Sequence, residues 1–188
     1  MQLTRFYWCD ERLMRPDGVV LQIGVANTQV ANALKENWPT MRHVMVEASR
    51  KNAWKFVAMN AALAAERGPV KLWLGKKPYE HSTFGKPASC VGSEIVRGLT
   101  LASMLDEIEL PEVDLLLCNC EGAEMHLLLQ LAGHVGCGVR QACIALHYGH
   151  VQYYSLKTLD AMLAQLNGLW DMEFRRPQGL EYVLLTRK

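Results

Sequence analysis

Val113-Asp-Leu-Leu-Leu-Cys-Asn-Cys-Glu-Gly-Ala-Glu124 is the stretch that decides the fold. Its apolar residues, densest from Val113 to Cys118, run on without alternating, the pattern of a strand buried on both faces and so placed centrally in a parallel sheet. Glu121-Gly-Ala-Glu124 then opens a helix expected to reach about Leu131. A strand passing at once into a helix is half of a βαβ unit, and the rest of the chain repeats that rhythm.

Upstream, Val19 to Gly24 reads as a buried strand entered from Pro16-Asp-Gly18, followed by a helix from about Thr28 to Trp38 that Pro39 stops. His43 to Glu47 is the next strand. Ser49 can cap a helix running to about Glu66 and ended by Gly68-Pro69. Val70 to Leu74 alternates like a third strand. Residues 75–98, with four Gly and two Pro, read as a long loop of the kind that often forms a lid. Thr100 caps a short helix to Glu109. Downstream, Gln141 to His147 is a fifth strand and Leu156 to Leu166 a helix. Leu169 to Phe174 and Leu180 to Thr186 form a closing hairpin around Pro177-Gln-Gly179. The expected fold is α/β: a doubly wound, three-layer, mostly parallel seven-stranded sheet with a C-terminal antiparallel hairpin, residues 1–188 forming one domain.

The composition narrows the function classes. The 188 residues are 50% hydrophobic, and 20 Lys+Arg balance 19 Asp+Glu for a formal charge of +1. No basic surplus is available to release counterions from a polyanion, so no nucleic-acid partner is expected. No apolar run reaches the roughly 18 residues of a membrane span, and the N-terminus lacks the apolar core of a signal peptide, so a cytoplasmic protein is expected. Six cysteines without CxxC spacing read as free thiols packed as small apolar residues. A metal site using Cys118, Cys120, His147 or His150 lacks a four-ligand pattern.

Ligands of doubly wound sheets bind beyond the carboxyl ends of the strands. That rule selects Gln22 to Asn27, Glu47, the loop after Leu74, Asn119 to Glu124, and His147 to His150. Gly24 stands where a dinucleotide fold begins G-x-G-x-x-G, but the later glycines are missing, which disfavours NAD and FAD. No phosphate loop for ATP occurs. A ligand without pyrophosphate needs fewer glycines, which leaves room for an adenosyl compound. Glu47, 23 residues after Gly24, sits where this architecture hydrogen-bonds ribose hydroxyls.

Leu21-Gln-Ile-Gly-Val-Ala-Asn27, Val46-Glu-Ala48, Leu99-Thr-Leu101 and Val113 to Glu124, in this order, resemble the FkbM family of S-adenosylmethionine-dependent methyltransferases. The resemblance runs from about Val19 to His147, and Glu121-Gly122-Ala123-Glu124 is its most specific part. It implies S-adenosylmethionine as cofactor, set against Gln22, Gly24, Ala26, Glu47 and Asn119, and the hydroxyl of a small molecule or sugar as acceptor. The chain departs from the family where Gln22 and Asn119 replace the usual Asp, Thr28 a second glycine, Leu117 a Lys and Ala102 an Asp. The site is therefore less anionic than the family's, and a diverged, non-catalytic binding protein of the same fold is the alternative reading. His147, at the end of the fifth strand, is the candidate general base because an unperturbed imidazole titrates near neutrality. Glu121 is the candidate acceptor-binding or auxiliary basic residue, with His150 and His81 as further candidates.

Overall fold

The computed structural model describes residues 1–25, 29–50, 57–77, 80–133, 138–148 and 154–188. Among the described residues, ten strands and four α-helices follow in chain order: β1 (Val19–Ile23), α1 (Gln29–Asn37), β2 (Arg42–Glu47), β3 (Met59–Asn60), β4 (Ala62–Leu63), β5 (Gly68–Leu74), β6 (Gly92–Leu99), α2 (Leu101–Glu107), β7 (Leu115–Cys118), α3 (Glu124–Gly133), β8 (Gln141–Leu146), α4 (Leu156–Leu166), β9 (Trp170–Arg175) and β10 (Glu181–Arg187). Seven strands form the main sheet in the order β3-β2-β1-β7-β8-β10-β9. All neighbours from β3 to β8 are parallel, and β10 runs antiparallel to both β8 and β9. The doubly wound sheet with its reversed final hairpin is as expected.

Alternate residues of the central strands feed two cores. Val20, Leu115, Leu117, Cys143 and Ala145 pack under α1 (Val30, Leu34) and the N-terminal segment, including Tyr7 and Trp8. Leu21, Ile23, Leu116, Cys118 and Ile144 face α2, α3 and α4. The central strands are buried on both faces, which is why they read as continuous apolar runs. Thr100 caps α2 as expected, its hydroxyl accepting from Ser103 N.

At the amino end of β7, fully buried Asp114 takes a fork of two hydrogen bonds from Arg15 (2.7 and 3.0 Å) and one from Val19 N (2.7 Å). This clamp ties the N-terminal segment to the bottom of the sheet, at the opposite end from the expected ligand site. It explains structurally why the apolar strand begins with an acid.

Three expectations are corrected between β2 and α2. The helix from Ser49 to Glu66 does not form over its described second half. Met59-Asn60 instead pairs in parallel with β2 and supplies the sheet edge, while Ala62-Leu63 pairs with β6. Ala61, Ala62, Leu63 and Ala64 are all buried, so packing on both sides overrides the helix preference of an alanine-rich stretch. Residues 51–56 lie outside the described set. The strand at 70–74 exists, but in a second, three-stranded sheet of order β4-β6-β5 rather than in the main one. Residues 92–98, expected to be loop, belong to β6, which pairs antiparallel with β5 over seven residue pairs. The pairing is long-range and leaves polar and apolar residues interleaved with glycines, which hides it from local pattern.

Cys9, Cys90, Cys118, Cys120 and Cys143 are free, and Cys137 lies outside the described residues. Cys118 and Cys120 share a face with their sulfurs 3.7 Å apart. The contact with Cys120 and burial both hold the Cys118 thiol well above its ordinary pKa, so it stays protonated and unreactive. Titrating the denatured, unreduced chain with a thiol reagent should find all six cysteines reactive; four would reveal a disulfide.

Candidate functional site

A cavity of about 540 Å³ opens beyond the carboxyl ends of β1, β2, β7 and β8. It brings together Gln22, Gly24, Glu47, Asn119, Glu121 and His147, six of the seven residues expected at the site. The seventh, Ala26, lies outside the described residues, as does His150. His81 and Thr83 reach the cavity from the segment joining β5 to β6.

Glu47 ends β2 and is buried. One carboxylate oxygen accepts from Val25 N (2.9 Å), the other from Ser49 N (2.8 Å). Burial raises its pKa despite those amides. With the Ala48 amide a third donor, the carboxylate is fixed in orientation and keeps room to accept from a ligand. Gln22 is buried too, its amide oxygen 3.1 Å from His43 Nε2. Burial pushes His43 down to about 4, so it is neutral and donates through that nitrogen. Asn119 follows β7, and its Oδ1 is buried without a hydrogen-bond partner. An orphaned acceptor beside a cavity costs on the order of 1–3 kcal/mol unless a ligand donor meets it.

The backbone around Gly24 itself demands a glycine. It sits at φ 82°, and a Cβ there would stand 2.1 Å from the backbone oxygen of Asn119. The glycine is required where the ends of β1 and β7 converge.

The residues after β7 form the most constrained part of the site. Glu121 adopts φ 49° and Gly122 φ 103°, so a non-glycine residue is held in the left-handed region, at a cost on the order of 1–2 kcal/mol. Glu124, fully buried at the start of α3, holds the turn: its Oε1 accepts from Cys120 N (2.6 Å) and its Oε2 from Gly122 N (2.7 Å). From the other side Ser82 donates its hydroxyl to the Glu121 carbonyl (2.6 Å). The helix expected from Glu121 thus starts at Glu124, because this turn precedes it.

His147 is clamped between both acids of that turn. Its Nδ1 lies 2.9 Å from Glu124 Oε1 and its Nε2 3.2 Å from Glu121 Oε1. Burial alone would lower its pKa, but the two carboxylates outweigh burial and raise it to about 10. Glu124 is itself held below the usual range: burial opposes this, and His147 with the backbone amides prevails. At neutral pH the group is carboxylate–imidazolium–carboxylate. The near-neutral imidazole expected from sequence is replaced by a cation with both nitrogens engaged, which leaves no lone pair for a proton or a metal. Among the described residues no cluster of His, Cys, Asp and Glu is arranged to hold a metal ion.

Two features escaped the sequence reading as site elements. Glu124 lay inside the quoted motif, and its spacing of three from Glu121 was the available signal. Thr4, Arg5, Phe6 and Tyr7 also line the cavity, and nothing local marks them.

Over 93% of its length the chain superposes on a structure from a fibrillarin/Nop5p complex, with a TM-score of 0.54 and 12% identity, covering 75% of that chain. The fold is that of the Rossmann-like methyltransferases. TrmN from Thermus thermophilus (TM-score 0.48, 12% identity, 95% of this chain and 48% of that one) is also similar. So is a precorrin-6y C5,15-methyltransferase from Geobacter metallireducens (TM-score 0.48, 10% identity, 99% and 86%). At these identities the likeness is one of fold. No protein-family profile matches the chain, and no curated protein does. No helix among the described residues is long and apolar enough to cross a membrane.

Proposed function

We propose that the chain is an S-adenosylmethionine-dependent methyltransferase acting on a hydroxyl of a small molecule or sugar, akin to the FkbM family in the motifs quoted above. The observation that carries this reading is that one cavity joins Glu47, at the end of β2, to the Glu121–His147 pair at the ends of β7 and β8. The residues present fit the donor. Glu47 keeps room to accept from a ribose hydroxyl, and the orphaned Asn119 Oδ1 can take a donor N–H. Glu47 and Glu121 both line the cavity, and their carboxylates favour a sulfonium.

Bound there, S-adenosylmethionine supplies an electrophilic methyl group and leaves as S-adenosylhomocysteine. The chain's own contribution is positioning and proton handling. Glu121 receives the proton that the acceptor hydroxyl loses as its oxygen takes the methyl. His147, held by Glu124, orients the Glu121 carboxylate and balances its charge. The left-handed backbone at Glu121 fits this role, since strain persists where a function over-determines the geometry.

Calorimetric titration tests the donor site. S-adenosylhomocysteine should bind, and Glu47→Ala should weaken it about tenfold to a hundredfold, the worth of hydrogen bonds to a charged acceptor. No heat from either donor or product at millimolar concentration, in folded protein, would overturn the reading. The neutral amide of Gln22, engaged by His43, favours as second reading a non-catalytic binding protein of this fold. Donor binding without methyl transfer from labelled donor would select it.

A further inference from the structure

The cavity wall contributed by residues before β1 is fixed, aromatic and cationic. The chain folds back on itself between Gln2 and Trp8, with the hydroxyl oxygen of Thr4 accepting from Phe6 N and Tyr7 N (both 3.2 Å). The turn is pinned to the sheet. Phe6 stacks on Tyr182 of β10 (centroids 6.0 Å apart, planes 18°), and Tyr7 meets the same ring edge-on (5.7 Å, 88°). Behind it, the backbone of Asp10 exchanges two hydrogen bonds with the Gln141 side chain (2.8 and 3.1 Å). Tyr7 and Trp8 are buried, so the turn is anchored like a core element although it precedes the first strand.

Arg5, at the tip, is exposed, lines the cavity, and lies over the Phe6 ring at 4.5 Å. It forms no ion pair with a carboxylate among the described residues. The cavity therefore has two electrical ends. Glu47 and the Glu121–His147–Glu124 group make one end negative. Arg5, on a platform of aromatic carbon, makes the other positive. Tyr182 also lines the cavity, and its phenol pKa is raised by burial, with Glu124 and Glu121 adding to the rise and Arg5 opposing it. This wall thus sets one guanidinium beside one partly exposed aromatic ring, Phe6.

We propose that the Thr4–Tyr7 turn, with Tyr182, is the acceptor subsite and takes a planar aromatic hydroxy acid. Its ring packs against the exposed part of Phe6, which Tyr182 holds in place, its carboxylate pairs with Arg5, and its hydroxyl points toward Glu121. Only the assignment of that hydroxyl as methyl acceptor rests on the function proposed above. An aromatic face beside a guanidinium suits such a ligand because Arg pairs with carboxylates through parallel N–H bonds while stacking on rings.

The test uses two probes that differ by one carboxylate, catechol and protocatechuate, titrated calorimetrically into the protein with and without S-adenosylhomocysteine. Protocatechuate should bind about tenfold more tightly than catechol. Arg5→Gln should remove that advantage while leaving catechol affinity and the melting temperature unchanged, and Phe6→Ala should weaken both probes. Equal affinity of the two probes, no protocatechuate binding at millimolar concentration, or an advantage that survives Arg5→Gln would overturn the proposal. A failure of S-adenosylhomocysteine to bind counts against the donor site alone, because the probe comparison is read equally well in its absence.

Discussion

His147→Gln should destabilise the protein by about 3–5 kcal/mol at pH 6, the usual cost of removing one partner from a buried ion pair. The reason is Glu124. Its carboxylate is fully buried, and among the described residues the imidazolium is the one positive charge paired with it, at 2.9 Å. Without His147, backbone amides alone must hold a buried negative charge. The pH dependence has a definite sign. His147 is raised to about 10 in the folded protein against roughly 6.5 in an unfolded chain. Its contribution is therefore complete below pH 6.5, declines between 6.5 and 10, and is gone above 10. Denaturant titrations of wild type and variant at pH 6, 8 and 10 should give a difference that narrows steadily with pH. A constant difference would mean that His147 packs as a neutral ring.

The same pair shows where sequence reasoning reaches its limit. The position of His147 was legible: an apolar run ending in a polar residue puts that residue at the mouth of a parallel sheet. Its protonation was not, because it is decided by Glu124, 23 residues earlier, and by the backbone of Glu121. The central strands were legible because burial on both faces leaves no alternation to misread. Met59 to Leu63 was not, since strand pairing with β2 and β6 is a tertiary fact that overrides local helix preference. The β6 strand was missed for the same reason. The steric need for Gly24 was not legible either: the atom it makes room for belongs to Asn119, 95 residues downstream. The Thr4–Tyr7 turn reaches the cavity only by packing on Tyr182, near the other end of the chain. Elements whose burial is local in sequence are readable, and contacts that close loops of a hundred residues are not.

Glu121→Gln should cut turnover by about 10²–10⁴-fold, the contribution of a positioned base, while affinity for S-adenosylhomocysteine, which carries no sulfonium charge, changes little. Gln can still accept from His147 Nε2 through its amide oxygen, and the Ser82 contact is made to the backbone carbonyl, so the turn should survive. What the substitution removes is the only group of the clamp able to take a proton: Glu124 is sealed in the core, and the imidazolium has none of its nitrogens free. Release of S-adenosylhomocysteine with catechol or protocatechuate as acceptor gives the rate, and calorimetry gives the affinity for S-adenosylhomocysteine. A fall in turnover with that affinity unchanged separates a proton-accepting Glu121 from one that merely shapes the turn, for which both would fall together. If Glu121→Gln keeps the wild-type rate, the hydroxyl proton leaves by another route, and the left-handed strain at Glu121 serves only to aim His147 and Ser82 at each other's neighbours. His147→Gln offers the complementary reading: with Glu121 present but no longer oriented, its rate should fall less than that of Glu121→Gln when both are compared below their unfolding temperatures.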